Sequence, residues 1–273
     1  MIAAIHQPQY MPWIGYMNKI AHADVFVILD TVQYKKNEWQ NRNRIKTAAG
    51  SQWITVPVCY HYPEKILEVK INNTVRWGAK HYASLVTNYH RAPYFNVYAD
   101  FFKETLSTQW EFLADLNVFI IESLTHIWGL NTNIIRAHTI SVSAQNPTAR
   151  LVDICLALGA DTYLSGRDGM KYMDMKQFAD NGIKVIFQQF SSVVYPQLFH
   201  EFIPNLSSID LLLNCGIGAS ALIFEAGQGI SMTNNNSYAH APLHASSEHL
   251  LKSDLREHST IYTYQENKSG LHN

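Results

Sequence analysis

Two short apolar segments near the N-terminus constrain the fold of this chain more than any other feature. Residues 2–5 and residues 25–29 are continuous apolar runs, and residues 16–23 between them have the composition of a short helix. Such runs are typical of buried strands, and a strand–helix–strand unit forms a right-handed crossover between parallel strands. The segment therefore predicts an α/β fold in which His6 and Asp30 leave the sheet at the same edge.

The rest of the chain continues this alternation of strands and helices. Gly159 and Gly182 each follow a helical pattern, in the usual position after a helix C-terminus. We predict strands at residues 53–58, 66–71, 161–166 and 183–187, and helices at residues 77–89, 101–128 (with a break near Ser107), 148–158, 175–181 and 206–215. The prediction is one α/β domain over residues 1–228, with a mainly parallel sheet flanked by helices. A poorly packed polar tail is expected over residues 229–273.

The composition argues against several classes of protein. The formal net charge of -1 disfavours a broad electrostatic surface for duplex nucleic acid. No apolar run approaches the ~18 residues of a membrane span, and the N-terminus lacks the basic and apolar regions of a signal peptide. Cys59, Cys155 and Cys215 are far apart and odd in number, which fits reduced thiols. We therefore expect a cytoplasmic protein with no membrane span and no nucleic-acid partner.

The histidines do not favour a metal site. The chain has 13 of them, but none is arranged as HExxH or at another compact ligand spacing. His240, His244 and His249 lie close together within the polar tail, which is a poor setting for a rigid site. We expect no metal ion and no cofactor.

His6 and Asp30 are the candidate catalytic residues. Ligands of open α/β sheets bind at the carboxyl ends of strands, and an imidazole with a pKa near ~6.5 exchanges protons at cytoplasmic pH. Asp30, at the neighbouring strand end, would orient the ring and support its charged form. Two alternatives stay open: His6 only binds substrate or holds a turn, and Asp30 caps the turn after its strand.

Polar side chains beyond the second strand are candidate substrate ligands. Asn41, Arg42, Asn43 and Lys46 offer amides, a planar guanidinium fork and a point charge for phosphates or sugar hydroxyls. A solvated loop would have the same composition. Ser165, at the end of a predicted strand, offers a further hydroxyl or backbone donor to the site. The chain has no GxSxG motif, so Ser165 is not predicted to be a nucleophile.

A longer motif surrounds His6. Residues 6–16 read HQPQYMPWIGY, which resembles the HQPxYxPWxGY opening of the WbqC-like family. The similarity continues to residue 46 and recurs at residues 56–58, 163–166 and 206–210, so it covers roughly residues 1–220. Within the motif, Gln7 and Tyr10 join the substrate-binding candidates. Thr31 replaces an acidic residue of the family pattern, which disfavours a paired-carboxylate site.

The resemblance implies a function in bacterial cell-surface sugars, because such proteins are typically encoded among genes for O-antigen and other surface polysaccharides. It implies an acyl or aminoacyl transferase of lipopolysaccharide biosynthesis that acts on a nucleotide-linked amino sugar. His6 would deprotonate the attacking amine, Asp30 would orient His6, and Arg42 with Lys46 would hold the diphosphate. The expected partners are the nucleotide-linked sugar and an acyl carrier protein.

Two alternatives to the transferase remain. The chain is also compatible with a non-catalytic binding partner for a sugar nucleotide or a carrier protein in polysaccharide assembly. The motif between the first strand and helix occupies the place of the HxGH signature in HUP-type nucleotidylyltransferases, which makes a degenerate relative of those enzymes the other alternative. Trp13 and Tyr16 stand where histidines would bind phosphates, and neither side chain can take up a proton to neutralise the charge of a triphosphate. Adenylyl transfer is therefore disfavoured, and the HUP-like architecture of the N-terminal half is a fold-level analogy.

Overall fold

The computed structural model describes residues 1–199 and 201–226. The strands are β1 (Ile2–His6), β2 (Val25–Ile28), β3 (Arg42–Thr47), β4 (Gly50–Thr55), β5 (Val58–Cys59), β6 (Lys70–Ile71), β7 (Asn133–Arg136), β8 (Thr162–Ser165) and β9 (Lys184–Phe187). The α-helices are α1 (Ile14–Ala21), α2 (Trp77–Tyr89), α3 (Phe95–Ser107), α4 (Leu113–Ile127), α5 (Pro147–Leu158), α6 (Met175–Asp180), α7 (Ser208–Cys215) and α8 (Ser220–Glu225). The predicted tail at 229–273, with its three histidines, lies outside the described residues.

A five-stranded parallel sheet forms the centre of the fold, in the order β7-β2-β1-β8-β9. The chain proceeds outward from β1 through β2 to β7, then returns to the other side of β1 and continues through β8 to β9. This confirms the predicted α/β class and the parallel pairing of the first two strands. The strand order reverses between β1 and β8, which makes their carboxyl ends the topological switch point of the sheet.

Both faces of this sheet are buried. On one face Ala3, Ile5 and Val27 belong to a core cluster that includes residues of α5 and α6. The alternate residues Ala4 and Phe26 point to the other face and are also fully buried. There Phe26 packs edge-on against Tyr16 of α1, with ring centroids 5.2 Å apart. This double burial explains why the strands read as continuous apolar runs.

Local sequence signals fix the ends of α5. Asn146 caps its N-terminus by accepting hydrogen bonds from the backbone of Thr148 and Ala149, and Pro147 occupies the first turn. Gly159 ends the helix with φ of 68°, a left-handed conformation that glycine adopts without strain. These signals are why the predicted helix at 148–158 agrees closely with the structure.

Outside the central sheet, several predicted boundaries are wrong. The polar stretch expected to be a loop enters a strand at Arg42, and this β3 pairs with β4 in an antiparallel hairpin separate from the main sheet. The predicted strand at 53–58 is divided between β4 and β5, and the first half of residues 66–71 forms a 3-10 turn before β6. β7 was not predicted. The predicted helical zone is α3 and α4, with the break after Ser107 as expected.

Within residues 1–199 and 201–226, no helix has both the length and the apolar character needed to cross a membrane.

Candidate functional site

A cavity of about 590 Å³ opens at the switch point of the sheet. Four parts of the chain surround it: the end of β1, the first turns of α1, the turn after β8 and the segment after β9. We call it the switch-point cavity. Sheets of this topology bind ligands at this position, because the connections from the two neighbouring strands leave in opposite directions and open a crevice.

Aromatic rings form much of the cavity wall. Trp13 and Phe190 meet edge-to-face with centroids 4.9 Å apart, and Tyr16 and Tyr172 line further parts of the wall. A Cβ atom on Gly15 would lie 2.4 Å from the indole of Trp13, so only glycine leaves room for this ring position. The wall is suited to stacking against a flat base or the apolar face of a sugar ring.

His6 lies at the end of β1 and lines the cavity. Its Nδ1 atom is 3.0 Å from the backbone oxygen of Gln7. A carbonyl oxygen only accepts hydrogen bonds, so Nδ1 carries the proton and Nε2 keeps a lone pair. Burial first, and the nearby charge of Lys19 second, lower the pKa of His6 to about 4. The ring is therefore a neutral hydrogen-bond acceptor at neutral pH.

Lys19 is a site residue that the sequence reasoning missed. Its side chain comes from α1, lines the cavity and is 2% exposed. The Nζ atom donates to the backbone oxygen of Ile5 at 3.0 Å, one residue before His6. Burial lowers the pKa of Lys19 to about 7, because a charged amine is poorly solvated there. The available signal was a single lysine in a helix whose residues 14–20 are otherwise mostly apolar.

The Asp30 carboxylate forms its hydrogen bonds with residues other than His6, which corrects the predicted pair. The two residues do lie at the same sheet edge, since the backbone N–H of Leu29 donates to the oxygen of His6 at 2.8 Å. The fully buried Asp30 carboxylate instead accepts from Arg136 Nε at 2.9 Å, from His138 Nδ1 at 2.8 Å and from the His138 backbone at 3.2 Å. Arg136 is the last residue of β7, the strand that the sequence did not reveal, and His138 lies in the turn that follows it.

The predicted phosphate ligands are also placed elsewhere. Asn41 donates to the backbone of Val56, Asn43 to that of Met11, and the 2%-exposed Lys46 donates to Gln197 Oε1 at 3.0 Å. Because these three residues lie in or next to β3 and are buried, their side-chain nitrogens donate to the protein itself. Arg42 is half-buried, with its guanidinium 4.5 Å from the centroid of the Trp53 ring and donating to the backbone oxygen of Asn37. None of these four side chains lines the switch-point cavity.

The remaining candidates, Gln7, Tyr10 and Ser165, do not line the cavity. Gln7 accepts from Gln40 Nε2 at 2.7 Å, and the buried Tyr10 hydroxyl is 2.9 Å from Nδ1 of His81. Ser165 is 1% exposed, and its hydroxyl donates to the oxygen of Gly166 at 3.1 Å. Ser165 thus shapes the turn after β8, whose following residues Gly166–Gly169 do line the cavity. In the described part of the chain, no three His, Cys, Asp or Glu residues are grouped so as to hold a metal ion.

The fold defines a doubly wound α/β protein with a cavity at the switch point of its sheet. The model of the WbqC-like protein family matches residues 7–221, a range that begins directly after His6 and contains the other cavity residues from Trp13 onward. The chain is also 36% identical over 220 residues to "Uncharacterized protein Rv1507c" of Mycobacterium tuberculosis. The aligned region covers 79% of this chain and 94% of that relative. This protein belongs to the WbqC-like family. No solved structure matches it.

Proposed function

We propose that this protein is an acyl or aminoacyl transferase that acts on the amino group of a nucleotide-linked sugar in surface-polysaccharide (O-antigen) biosynthesis. The observation that carries the proposal is the switch-point cavity, where an uncharged His6 lies beside aromatic walls. The assignment to surface polysaccharide rests on the resemblance to the WbqC-like family. The reaction rests on the chemistry of the cavity.

The size and lining of the cavity support a nucleotide-linked sugar as substrate. Its volume of about 590 Å³ lies within the range of small-molecule sites. Trp13 and Phe190 offer faces and edges for stacking, as base and sugar rings require. Arg167 lines the cavity, is exposed to solvent and offers a planar fork to a diphosphate. It takes the role first expected of Arg42 and Lys46.

His6 supports transfer to an amine. With Nδ1 bound to the Gln7 carbonyl, the free Nε2 accepts a hydrogen bond from the sugar amine and directs the nitrogen lone pair away from the ring. A charged imidazolium would instead repel a protonated amine and offer it no acceptor. The low pKa of His6 thus favours the form that the proposal requires.

The thiols of the chain favour direct transfer without a covalent enzyme intermediate. None of the three cysteines lines the cavity, and burial raises the pKa of Cys155 to about 12. The sugar amine would attack the activated acyl group directly. Such an acyl group arrives as an ester or a thioester, for example on an acyl carrier protein.

The test compares His6→Gln with the wild type, and His90→Ala serves as a histidine control on the exposed end of α2. Each protein is incubated with UDP-glucosamine and a panel of acyl thioesters and aminoacyl esters. Mass spectrometry follows the N-acylated sugar, and calorimetry measures UDP-glucosamine binding. We expect turnover in the wild type and His90→Ala, with loss of about 100-fold in kcat for His6→Gln and retained binding.

Two outcomes would contradict the proposal. Binding of the nucleotide sugar without turnover of any donor would favour the non-catalytic binding partner instead. Loss of binding in His6→Gln, with kcat unchanged at saturation, would remove His6 from the reaction and leave it a ligand only.

A further inference from the structure

Lys19 occupies an unusual position in the switch-point cavity. Its side chain leaves the middle of α1 and ends at the carboxyl end of β1, where Nζ donates to the Ile5 oxygen at 3.0 Å. His6 is the next residue along β1, and both side chains line the cavity. A ligand that fills the cavity can therefore contact both of these side chains.

Within the described residues, the amine of Lys19 has no counter-charge. Among the salt bridges of residues 1–199 and 201–226, none includes Lys19. The other titratable side chains around the cavity are His6, Tyr16, Tyr163, Arg167, Asp168 and Tyr172. Asp168, the one carboxylate among these, is exposed and accepts from Lys171 Nζ at 2.5 Å. A buried ammonium without a carboxylate partner loses solvation with no compensating ion pair, which favours the neutral amine.

We propose that the Nζ amine of Lys19 is the general base of the transfer, and that His6 holds the attacking amine beside it. This inference rests on the transferase activity proposed above. The sugar nitrogen forms a bond to the acyl carbon and releases a proton to neutral Lys19. The tetrahedral adduct then breaks its bond to the ester oxygen or thioester sulfur. The leaving group takes the proton from the Lys19 ammonium, which returns the lysine to its neutral form.

Lys19 suits this step better than His6 does. A general base is most effective when its pKa lies near the working pH. The pKa of Lys19 is about 7, whereas that of His6 is about 4, so the imidazole is too weak a base to hold the proton of an alkyl amine. The positive charge that Lys19 gains in the step also keeps His6 unprotonated, since each charge disfavours the other. His6 therefore orients the amine, and Lys19 accepts its proton.

The first arm of the test needs no variant. Wild-type protein is labelled with a trace of acetic anhydride across a pH series, and peptide mass spectrometry compares Lys19 with the exposed Lys176 of α6. We expect half-maximal labelling of Lys19 at a pH of about 7, and protection by UDP-glucosamine. Labelling of Lys19 that rises only above a pH of about 9, as for an ordinary lysine, would overturn the inference.

The second arm measures turnover. We expect Lys19→Met to lower kcat about 100-fold while KM for UDP-glucosamine changes by less than about threefold. Small primary amines added to this variant should restore part of the rate, and Lys176→Arg should behave as the wild type. An active wild type with an equally active Lys19→Met would overturn the role of Lys19 alone. A wild type that transfers no acyl group would overturn the proposed function, and the role of Lys19 with it.

Discussion

The substitution Asp30→Asn tests whether the Asp30 carboxylate stabilises the fold or serves the reaction. The fully buried carboxylate accepts three hydrogen bonds, two from His138 and one from Arg136. Asparagine preserves the shape but removes the charge and places an NH₂ group where one of the acceptor oxygens stood. That group would face a donor of Arg136 or His138, so at least one strong contact becomes repulsive.

The loss of stability in Asp30→Asn depends on how well Arg136 and His138 are solvated once the carboxylate is gone. Removing one member of a buried ion pair costs roughly 3–5 kcal/mol when the other member is left unpaired. Here Arg136 is 25% exposed and keeps its 2.6 Å contact with Asp115, and His138 is 41% exposed. Both side chains therefore keep contact with solvent, and Arg136 also keeps its ion pair with Asp115. We expect the free energy of unfolding to fall by about 2–3 kcal/mol, below the full cost of a stranded charge.

Urea unfolding followed by tryptophan fluorescence measures this loss, with Asp161→Asn as the matched control. Asp161 pairs with the N-terminal amine at 2.8 Å but is 70% exposed, so its substitution should lower the free energy of unfolding much less than Asp30→Asn does. We expect Asp30→Asn to keep its kcat at temperatures where it stays folded. A loss of less than about 0.5 kcal/mol, combined with a large fall in kcat, would refute the structural role and restore Asp30 as a partner of His6.

Three further substitutions test other parts of the structure. Burial lowers the pKa of His81 from 6.5 to about 4. As the pH falls from 6.5 to 4, this histidine is protonated in the unfolded chain but not in the folded one, so the free energy of unfolding falls by about 3 kcal/mol. Urea titrations of His81→Gln should lack this loss, and an unchanged pH dependence would contradict the assignment. A Cβ on Gly78 would lie 1.8 Å from the Leu106 oxygen, so Gly78→Ala should destabilise the fold by about 2 kcal/mol or more in thermal unfolding. Gly218→Ala, whose Cβ meets nothing within 4 Å, should change little, and equal effects would argue against the close approach of α2 and α3. Trp13→Ala should weaken UDP-glucosamine binding at least about tenfold in calorimetry, and unchanged affinity would place the ligand away from the aromatic wall.

The predictable part of the fold is the part where local pattern and tertiary environment agree. β1 and β2 are buried on both faces, so their apolar runs were sufficient to identify them. The crossover rule then gave their parallel pairing and the shared edge of His6 and Asp30. The ends of α5 are predictable for the same reason, because the capping residues Asn146 and Gly159 bind the backbone of their own helix.

The partners of these residues were not predictable, because they come from distant parts of the chain. Asp30 binds residues 106 and 108 positions away, which are the last residue of β7 and the second residue after it, and no side chain of this four-residue strand is fully buried. Nothing near Asp30 indicates that Arg136 and His138 are there. In the same way, the polar composition of residues 41–46 was visible, but the buried acceptors that bind Asn41, Asn43 and Lys46 were not.

The sequence contained a local signal for Lys19, a single lysine in an apolar helix, but its position beside a cavity depends on the order of the strands. Residues 14–20 of α1 are all buried, because the helix packs on the sheet with one side and against α7 and α8 with the other. A lysine in such a helix is covered by its neighbours, so its amine reaches either the nearest free backbone acceptor or a cavity. In a crossover helix, that acceptor is the end of the preceding strand, where Nζ meets the Ile5 oxygen. The order of strands then places β8 beside β1 and opens the cavity at the same point. A lone lysine in an apolar crossover helix is thus a candidate site residue wherever the preceding strand borders the switch point.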